Sequence, residues 1–277
     1  MLTTENLSRS FGGVFAVDDV TMSVSQGELR GIIGPNGAGK STLFNLIAGH
    51  LAPSHGRITY RGEPLAGVAP HRRAREGIAI VFQSARLFRG MTALENVMVG
   101  ANARTRHGFA SAALRLPAHR REERLIAERA EAALARVGLT DFTDVPAESL
   151  PLGQQRRLQV ARALCGEPAL LLLDEPASGL RQAERESLSD LFHDLHEEGM
   201  TMLLIEHDVG FVMNLVDRIT VLDLGKVIAE GTPAEVSRDP QVISAYLGQE
   251  NSGQEDGAQG NSSPENSDQE NNNAPSR

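Results

Sequence analysis

The stretch Leu29-Arg-Gly-Ile-Ile-Gly34-Pro-Asn-Gly-Ala-Gly-Lys40-Ser-Thr42 decides the fold of this 277-residue chain. Its first five residues are mostly apolar and predict a short strand buried on both faces of a sheet. The glycine-rich turn that follows matches the P-loop pattern, in which backbone N–H groups close around phosphate oxygens at the start of a helix. The sequence therefore predicts a strand, a phosphate-binding loop and a helix that begins near Lys40.

Every residue of this loop is expected to contact a nucleoside triphosphate, with Lys40 at the β- and γ-phosphates and the Ser41 hydroxyl on Mg²⁺. A glycine-rich turn without function is the alternative, and the strand before it and the helix after it make that alternative the weaker one. The predicted nucleotide contacts are Gly34, Pro35, Asn36, Gly37, Ala38, Gly39, Lys40, Ser41 and Thr42.

Two acidic residues, Asp174 and Glu175, end the apolar run that begins at Leu170. A carboxylate at the end of a buried strand suits an outer-shell or water-mediated hold on Mg²⁺, and the next one suits a general base for the attacking water. A solvated turn is the alternative for such a pair. The P-loop in the same chain favours the catalytic interpretation, so we expect Asp174 to serve the metal and Glu175 to serve as the base.

The rest of the pattern predicts an α/β fold, a P-loop core built on a mostly parallel sheet with antiparallel additions and an inserted helical subdomain. Short apolar runs of the length expected for buried strands lie at 29–33, 78–82, 170–174, 202–206 and 219–223. Segments 57–60 and 221–229 look like the antiparallel additions. Helical spacing is found at 181–198, and also at 92–100 and 120–137 in a stretch without strand-like runs.

These patterns divide the chain into a core of residues 1–83 and 166–248, a helical subdomain at about 84–165, and an acidic tail at 249–277. The tail carries six acidic residues and one basic residue and no large apolar one, so we expect it to be disordered. A tail that recruits a partner is the sharper alternative.

Composition narrows the class of protein. The formal net charge of −9 argues against a nucleic-acid binder held by phosphate contacts. The single cysteine, Cys165, excludes an internal disulfide and suits a reducing cytosol. The N-terminal residues lack the basic and apolar regions of a secretory signal, and no window is long and apolar enough to span a membrane. These features predict a chain that is neither exported nor inserted in the bilayer.

The segment Leu150-Pro-Leu-Gly-Gln-Gln-Arg-Arg-Leu-Gln-Val-Ala-Arg-Ala-Leu164 resembles the signature helix of the ATP-binding cassette (ABC) ATPases. The order of P-loop, Gln83, signature, Asp174-Glu175 and His207 is also that of this family. The resemblance implies that Phe11 stacks on adenine, that Gln83 senses Mg²⁺ and the attacking water, and that His207 contacts the γ-phosphate. By sequence alone, Phe11 is equally well a core or edge residue, and a lone histidine after an apolar strand, such as His207, is more often structural.

Family members close as dimers that hold ATP between the P-loop of one subunit and the signature of the other, so Gly153 and Gln154 are expected to contact the partner's nucleotide. Pro151 and Leu152 stand where the family usually has Ser-Gly, and Arg181 stands where it usually has Asp or Asn. The altered signature favours a heterodimer in which a second ATPase subunit supplies the usual signature, and the departure at Arg181 is expected to alter communication between the two sites.

The altered signature is similar to that of one ATPase subunit of branched-chain amino-acid importers. The likeness extends over residues 1–248 and includes Phe11-Gly-Gly13, Ala16-Val-Asp18, the helical insertion around 115–124, Ile205-Glu-His-Asp-Val209, Ile228-Ala-Glu-Gly-Thr-Pro233 and Tyr246-Leu-Gly248. The resemblance implies an ATPase on the cytoplasmic face of the inner membrane that binds two permease subunits and a second ATPase subunit. A solute-binding protein outside would act indirectly and choose the solute.

Residues 84–96 provide apolar side chains, Leu87, Phe88, Met91 and Leu94, where the family docks a coupling helix of the permease. A role in the core is the alternative for these four. Relatives that serve urea or amide import or lipopolysaccharide export remain open as alternatives in substrate. Soluble cassette ATPases acting on DNA or ribosomes, and small P-loop kinases, are disfavoured by the single cassette, the acidic tail and the signature segment.

Overall fold

A six-stranded sheet forms the centre of the fold in a computed structural model that describes residues 1–84, 86–104 and 117–252. The strands are β1 (Leu2–Phe11), β2 (Val14–Val24), β3 (Leu29–Ile33), β4 (His55–Tyr60), β5 (Glu63–Pro64), β6 (Ile78–Val81), β7 (Leu170–Asp174), β8 (Thr201–Ile205), β9 (Arg218–Asp223) and β10 (Lys226–Gly231). The helices are α1 (Lys40–Ala48), α2 (Pro70–Arg75), α3 (Ala93–Met98), α4 (Pro117–Arg136), α5 (Leu152–Cys165), α6 (Gln182–Glu197), α7 (Val209–Met213), α8 (Pro233–Val236) and α9 (Pro240–Ser252). Short 3₁₀ helices cover Val99–Arg104, Thr140–Phe142 and Ala147–Ser149.

The strand order of the central sheet is β10-β9-β3-β8-β7-β6. All neighbouring pairs are parallel except β9 with β10, which form a hairpin. The predicted mostly parallel sheet is therefore confirmed, with the bounds of β6, β8 and β9 shifted by one residue. Every residue of β3 and β8 is buried, as expected for strands covered on both faces.

The alternation of side chains along β7 divides the core into two clusters. Leu170 and Leu172 belong to the cluster shared with α1 and the second sheet, whereas Leu171 and Leu173 belong to the cluster shared with the helices. Successive side chains of a strand point to opposite faces, so one continuous leucine run fills both sides of the sheet. This packing fixes the register of β7, and with it the position of Glu175.

A second, antiparallel sheet has the order β2-β1-β4-β5. Of this sheet, the sequence patterns predicted only part of β4. The first two strands of the chain, β1 and β2, were missed. The pairing of β1 with β2 contains register shifts after Thr4, Leu7 and Arg9, and Asn6 and Asp19 have the positive φ angles of 46° and 57°. These irregularities break the apolar alternation by which a half-buried strand is predicted.

Helices α3, α4 and α5 lie between β6 and β7 in the sequence, and they pack against one another. The described residues of this segment, 84, 86–104 and 117–165, contain no named strand. Thr92 begins α3 with a capping box, because its Oγ1 accepts from Glu95 N–H at 3.2 Å and Glu95 Oε2 accepts from Thr92 N–H at 2.8 Å. The predicted helices 92–100 and 120–137 correspond to α3 and α4. The insertion expected around 115–124 lies partly outside the described residues.

At the other end of the described chain, α9 continues to Ser252. The predicted tail therefore starts within a helix at 249–252, and its remaining residues, 253–277, lie outside the described part. Within the described residues, no helix is long and apolar enough to cross a membrane.

Candidate nucleotide-binding and hydrolysis site

The carboxyl ends of four parallel strands bring the predicted catalytic residues to one edge of the sheet. The P-loop follows β3, His207 follows β8, and Gln83 follows β6, while Asp174 ends β7 and Glu175 comes directly after it. These strands are adjacent in the order β3-β8-β7-β6. Ligands of open α/β sheets bind outside this edge, so the topology alone collects residues that are far apart in sequence.

The P-loop needs glycine where its backbone approaches other chain segments. Gly34 has φ 152°, and a Cβ there would lie 2.0 Å from the carbonyl oxygen of Leu222. Gly39 has φ 99°, and a Cβ there would lie 2.1 Å from the carbonyl oxygen of Ala16. Helix α1 starts directly after Gly39 without a side-chain cap or an acidic residue in its first turn. Its N-terminal partial positive charge therefore meets no anion of the helix itself, which suits a phosphate group.

Lys40 is buried, and its ammonium group lies within the loop. Its Nζ donates to the carbonyl oxygens of Gly34 at 2.6 Å and Pro35 at 2.9 Å. Burial lowers the pKa of Lys40, and the negative charge of Glu175 partly opposes this effect. A phosphate would offer this ammonium a charged acceptor in place of two neutral carbonyls.

The other loop residues differ in exposure. Asn36, Gly37 and Ser41 are exposed, whereas Pro35 and Ala38 are buried. The remaining member, Thr42, is half-buried in the first turn of α1. Solvent therefore reaches Asn36, Gly37 and Ser41 directly, whereas the Lys40 ammonium lies within the loop.

Gln83, Glu175 and His207 converge on one oxygen atom. Glu175 Oε2 accepts a hydrogen bond from Gln83 Nε2 at 2.8 Å and lies 3.4 Å from His207 Nδ1. Glu175 has φ 45°, a left-handed conformation that is uncommon for a residue with a side chain, and its N–H donates to Ile205 O at 2.9 Å. The backbone of β7 and β8 therefore fixes the direction of the carboxylate that the sequence predicted as the base.

Asp174 is half-buried at the end of β7 beside this cluster. Its pKa is raised, chiefly because burial disfavours the charged carboxylate and also because Glu175 repels it. Ser41, Asp174 and Gln83 offer hydroxyl, carboxylate and amide oxygens, which are the donors that Mg²⁺ prefers. Among the described residues, no group of three or more His, Cys, Asp or Glu side chains could hold a metal ion by itself. In proteins, Mg²⁺ is usually bound through one or two carboxylates together with substrate phosphates and water.

Glu206 is a site residue that the sequence analysis missed. It is buried directly before His207, and its Oε1 accepts from Ala177 N–H at 2.8 Å while its Oε2 accepts from His207 N–H at 3.3 Å. Burial raises the pKa of Glu206. Its two oxygens tie the segment after β7 to the segment after β8. An acidic residue at the end of an apolar run was the available signal.

Arg185 makes a second link between these segments. Its Nη1 lies 2.5 Å from Oδ2 of Asp208, and its Nε donates to the carbonyl oxygen of Leu180 at 3.1 Å. Asp208 follows His207 and caps α7, accepting from Phe211 N–H at 3.1 Å. The loop 178–181 and the His207 segment are thus joined through one guanidinium group.

Phe11 ends β1 and is 46% exposed, so it is not a core residue, whereas the alternative of an edge residue stays open. The guanidinium carbon of Arg9 lies 4.7 Å from the centre of its ring. One ring face therefore already has a cationic neighbour, as occurs for aromatic rings at exposed sites.

Gly153 and Gln154 occupy the first turn of α5, where Pro151 is the N-cap. They line a depression of about 260 Å³ with side chains of α5 and α6, and no P-loop residue lines it. Gly153 N–H donates to Oε1 of Glu184 at 3.3 Å. Their predicted role requires a nucleotide from another subunit.

Two family profiles match the chain. One, described as "ABC transporter", covers residues 17–178, and the other, described as "Branched-chain amino acid ATP-binding cassette transporter", covers residues 226–251.

Similar curated proteins span nearly the same length. The chain is 42% identical over 250 residues to the high-affinity branched-chain amino acid transport ATP-binding protein BraF of Pseudomonas aeruginosa. The aligned region covers 90% of this chain and 98% of that protein. The chain is 40% identical, with the same coverage, to the corresponding protein LivG of Escherichia coli. It is 33% identical, again over 90% of this chain and 98% of the relative, to the lipopolysaccharide export system ATP-binding protein LptB of Haemophilus influenzae.

Among solved structures, an ATP-binding cassette of an ABC transporter superimposes with a TM-score of 0.78 at 32% identity, covering 89% of this chain and 98% of that one. The dimeric structure of an ATP-binding cassette in a post-hydrolysis state, bound to ADP and Pi, has a TM-score of 0.69 at 26% identity, covering 84% of this chain and 99% of that one.

Proposed function

The chain belongs to the ATP-binding cassette family of ABC transporters, and from this membership we propose that it hydrolyses ATP to drive uptake of branched-chain amino acids through a membrane permease. The observation that carries the choice of solute class is the match of residues 226–251 to the branched-chain profile. This segment forms β10, α8 and most of α9, outside the P-loop and acidic-strand motifs. The identity of 40–42% to BraF and LivG, against 33% to the lipopolysaccharide relative, favours the same solute class.

In the proposed reaction, the P-loop and Lys40 hold the β- and γ-phosphates and Phe11 stacks on the base. Glu175 accepts a proton from the attacking water, while Gln83 and His207, which share its Oε2, orient the water and contact the γ-phosphate. Ser41, Gln83 and Asp174 would hold Mg²⁺, which supplies neutralisation of phosphate charge when bound. The assignments to single residues are part of the proposal.

The proposed unit of function is a dimer, since the signature residues Gly153 and Gln154 lie on a face that no P-loop residue of the same chain lines. A helix N-terminus provides backbone donors for a phosphate, so the first turn of α5 would complete the site of a second subunit. The dimeric cassette among the structural relatives supports this arrangement. Pro151 and Leu152 favour a second ATPase subunit of different sequence as the partner.

We place the permease contact at a groove of about 380 Å³ whose lining includes Phe82, Phe88 and Arg162. Phe88 is 44% exposed and Met91 is also exposed, whereas Leu87 and Leu94 pack against the core. The core alternative thus holds for two of the four apolar residues. Two permease subunits would dock on two cassettes at the cytoplasmic face of the inner membrane, with a solute-binding protein outside. We divide the chain into a core of residues 1–83 and 166–248 and a helical subdomain at about 84–165. In this division the groove lies at the junction of the two parts.

Uptake tests the solute class. Cells lacking this chain would be assayed for entry of radiolabelled leucine, isoleucine and valine, with urea uptake and lipopolysaccharide export measured in parallel. We expect uptake of branched-chain amino acids to fall and to return with the wild-type chain but not with Glu175→Gln. Unchanged amino-acid uptake with a defect in urea entry or lipopolysaccharide export would overturn the solute assignment and leave the ATPase assignment standing.

A further inference from the structure

The first turn of α5 is capped by a carboxylate from α6. Pro151, at the N-cap position, provides no side-chain cap, whereas Oε1 of Glu184 accepts from Gly153 N–H at 3.3 Å. The second oxygen of the same group, Oε2, accepts from Arg181 N–H at 3.0 Å. One half-buried carboxylate therefore serves the N-terminal ends of two helices, a role that Ser, Thr, Asp or Asn at an N-cap usually fills for a single helix.

Glu184 lies directly against the backbone of the signature. A Cβ on Gly153 would lie 3.0 Å from Glu184 Oε1 and 3.1 Å from its Cγ, closer than side chains normally approach. The glycine therefore allows the contact as well as the backbone hydrogen bond. This contact joins α5 to α6 through Gly153 and Glu184, which are 31 positions apart in sequence.

The Gly153 N–H is one of the backbone donors in the first turn of α5, which completes the nucleotide site of the partner in the proposed function, where the γ-phosphate would be its acceptor. One N–H group cannot donate a full hydrogen bond to a carboxylate and a phosphate at the same time. Two anions that share one donor also repel each other. We propose, on the basis of the proposed two-subunit function, that Glu184 sets the ATP affinity of the composite site by occupying the Gly153 donor until the γ-phosphate displaces it.

Displacement leaves Glu184 a second partner. Its Oε2 keeps the Arg181 N–H of its own helix, so the side chain rotates away from Gly153 without losing every hydrogen bond. ADP lacks the γ-phosphate and makes no demand on the Gly153 donor. Glu184 should therefore weaken the composite site for ATP and leave ADP binding unchanged, which separates this role from a general effect on folding.

Glu184→Gln tests the inference because it removes the charge and keeps the shape and an acceptor oxygen. The complex is purified from native membranes through a tag on this chain, so that the second ATPase subunit is present. We expect the ATP concentration for half-maximal hydrolysis to fall about three- to tenfold, the range for charge effects at a helix end and an interface, while inhibition by ADP is unchanged. Glu186→Gln is the matched control, since it removes the same charge two residues away, where Glu186 pairs with Gln182.

An unchanged or increased half-maximal ATP concentration for Glu184→Gln, with Glu186→Gln equal to the wild type, would overturn the inference. Glu184→Ala provides a second reading, because it should lower the same ATP concentration even if loss of the cap also lowers the melting temperature. A rise with that variant would likewise count against the inference. Absence of hydrolysis by the wild-type complex would instead defeat the proposed function, and that result appears before any Glu184 variant is compared.

Discussion

Gln83 Nε2 and Glu175 Oε2 are joined by a 2.8 Å hydrogen bond between residues 92 positions apart in sequence. The bond ties the segment after β6, which leads to the groove proposed for the permease, to the carboxylate proposed as the general base. Movement of the first segment therefore changes the surroundings of the second. A permease that shifts Gln83 would alter hydrolysis without touching the nucleotide.

Glu175→Gln should lower the rate of ATP hydrolysis by about 10²- to 10⁴-fold, since a general base contributes a factor of this size. The amide keeps the shape of the carboxylate, so ATP binding should be retained. Steady-state phosphate release and equilibrium ATP binding measure the two effects. Glu167→Gln is a control for loss of one acidic charge, because Glu167 lies on the surface and contacts Arg129 at 3.4 Å. Normal hydrolysis by Glu175→Gln would refute its role as the base.

Lys40→Met should abolish measurable ATP binding while the chain remains folded. The substitution removes the ammonium that donates to Gly34 and Pro35 and keeps a side chain of similar length. Burial lowers the pKa of Lys40, because the charged ammonium loses part of its hydration in the folded state. A neutral side chain does not have this cost, so the substitution should not reduce the melting temperature. Nucleotide binding by fluorescence and thermal unfolding by circular dichroism check both points. Retained ATP affinity in Lys40→Met would contradict the assigned phosphate contact.

Arg185 and Asp208 should act as one unit that positions the His207 segment. We expect Arg185→Gln and Asp208→Asn each to lower kcat about tenfold with little change in KM, and the double variant to lower it no further. Since the 2.5 Å pair is about one-third exposed, its effect on stability should be at most about 1 kcal/mol. The surface pair of Arg136 with Glu198 supplies the control Arg136→Gln. Additive losses in kcat would show that the two residues act independently.

Phe88→Asp should release the chain from membranes and preserve its fold. Phe88 is 44% exposed in the groove proposed for the permease, so the charge would enter an interface and not the core. Leu87 is unsuitable for this test, because it packs against the core. Ile243→Asp is matched in exposure, at 46%, and lies on α9 away from the groove lining. Membrane fractions quantified by immunoblotting compare the two variants, and equal retention of both would remove this surface as the docking site.

Cys165 should be nearly inert to thiol reagents in the folded protein. Burial raises the pKa of this thiol to about 11, so at pH 8 about one molecule in a thousand carries the reactive thiolate. Because the unfolded thiol ionises near its ordinary pKa of about 9 whereas the folded one ionises only near 11, stability is unchanged at neutral pH and falls as the pH rises from about 9 to about 11. Alkylation followed by mass spectrometry in native buffer and in denaturant should differ by about a hundredfold or more. Fast native alkylation would show that α5 opens readily.

The parallel sheet was predictable because strands buried on both faces appear as continuous apolar runs, as in Leu170–Asp174. Strands β1 and β2 were not, since left-handed residues such as Asn6 interrupt their alternation. The predicted residues Gln83, Glu175 and His207 do meet on one oxygen. The supporting contacts of Glu206 and Glu184 were missed, because they join segments 29 and 31 residues apart and leave no periodic trace in the sequence.

The division of β7 between two leucine clusters has a consequence for misfolded molecules. A slip of one residue in this strand would send Leu170 and Leu172 to the helical side and Leu171 and Leu173 to the other, and would carry Glu175 away from Gln83. Sheet registration and catalytic competence are therefore a single property of the chain. Molecules with a shifted β7 would be inactive in ATP hydrolysis. The average rate of ATP hydrolysis per molecule would therefore report the fraction of protein with the correct register.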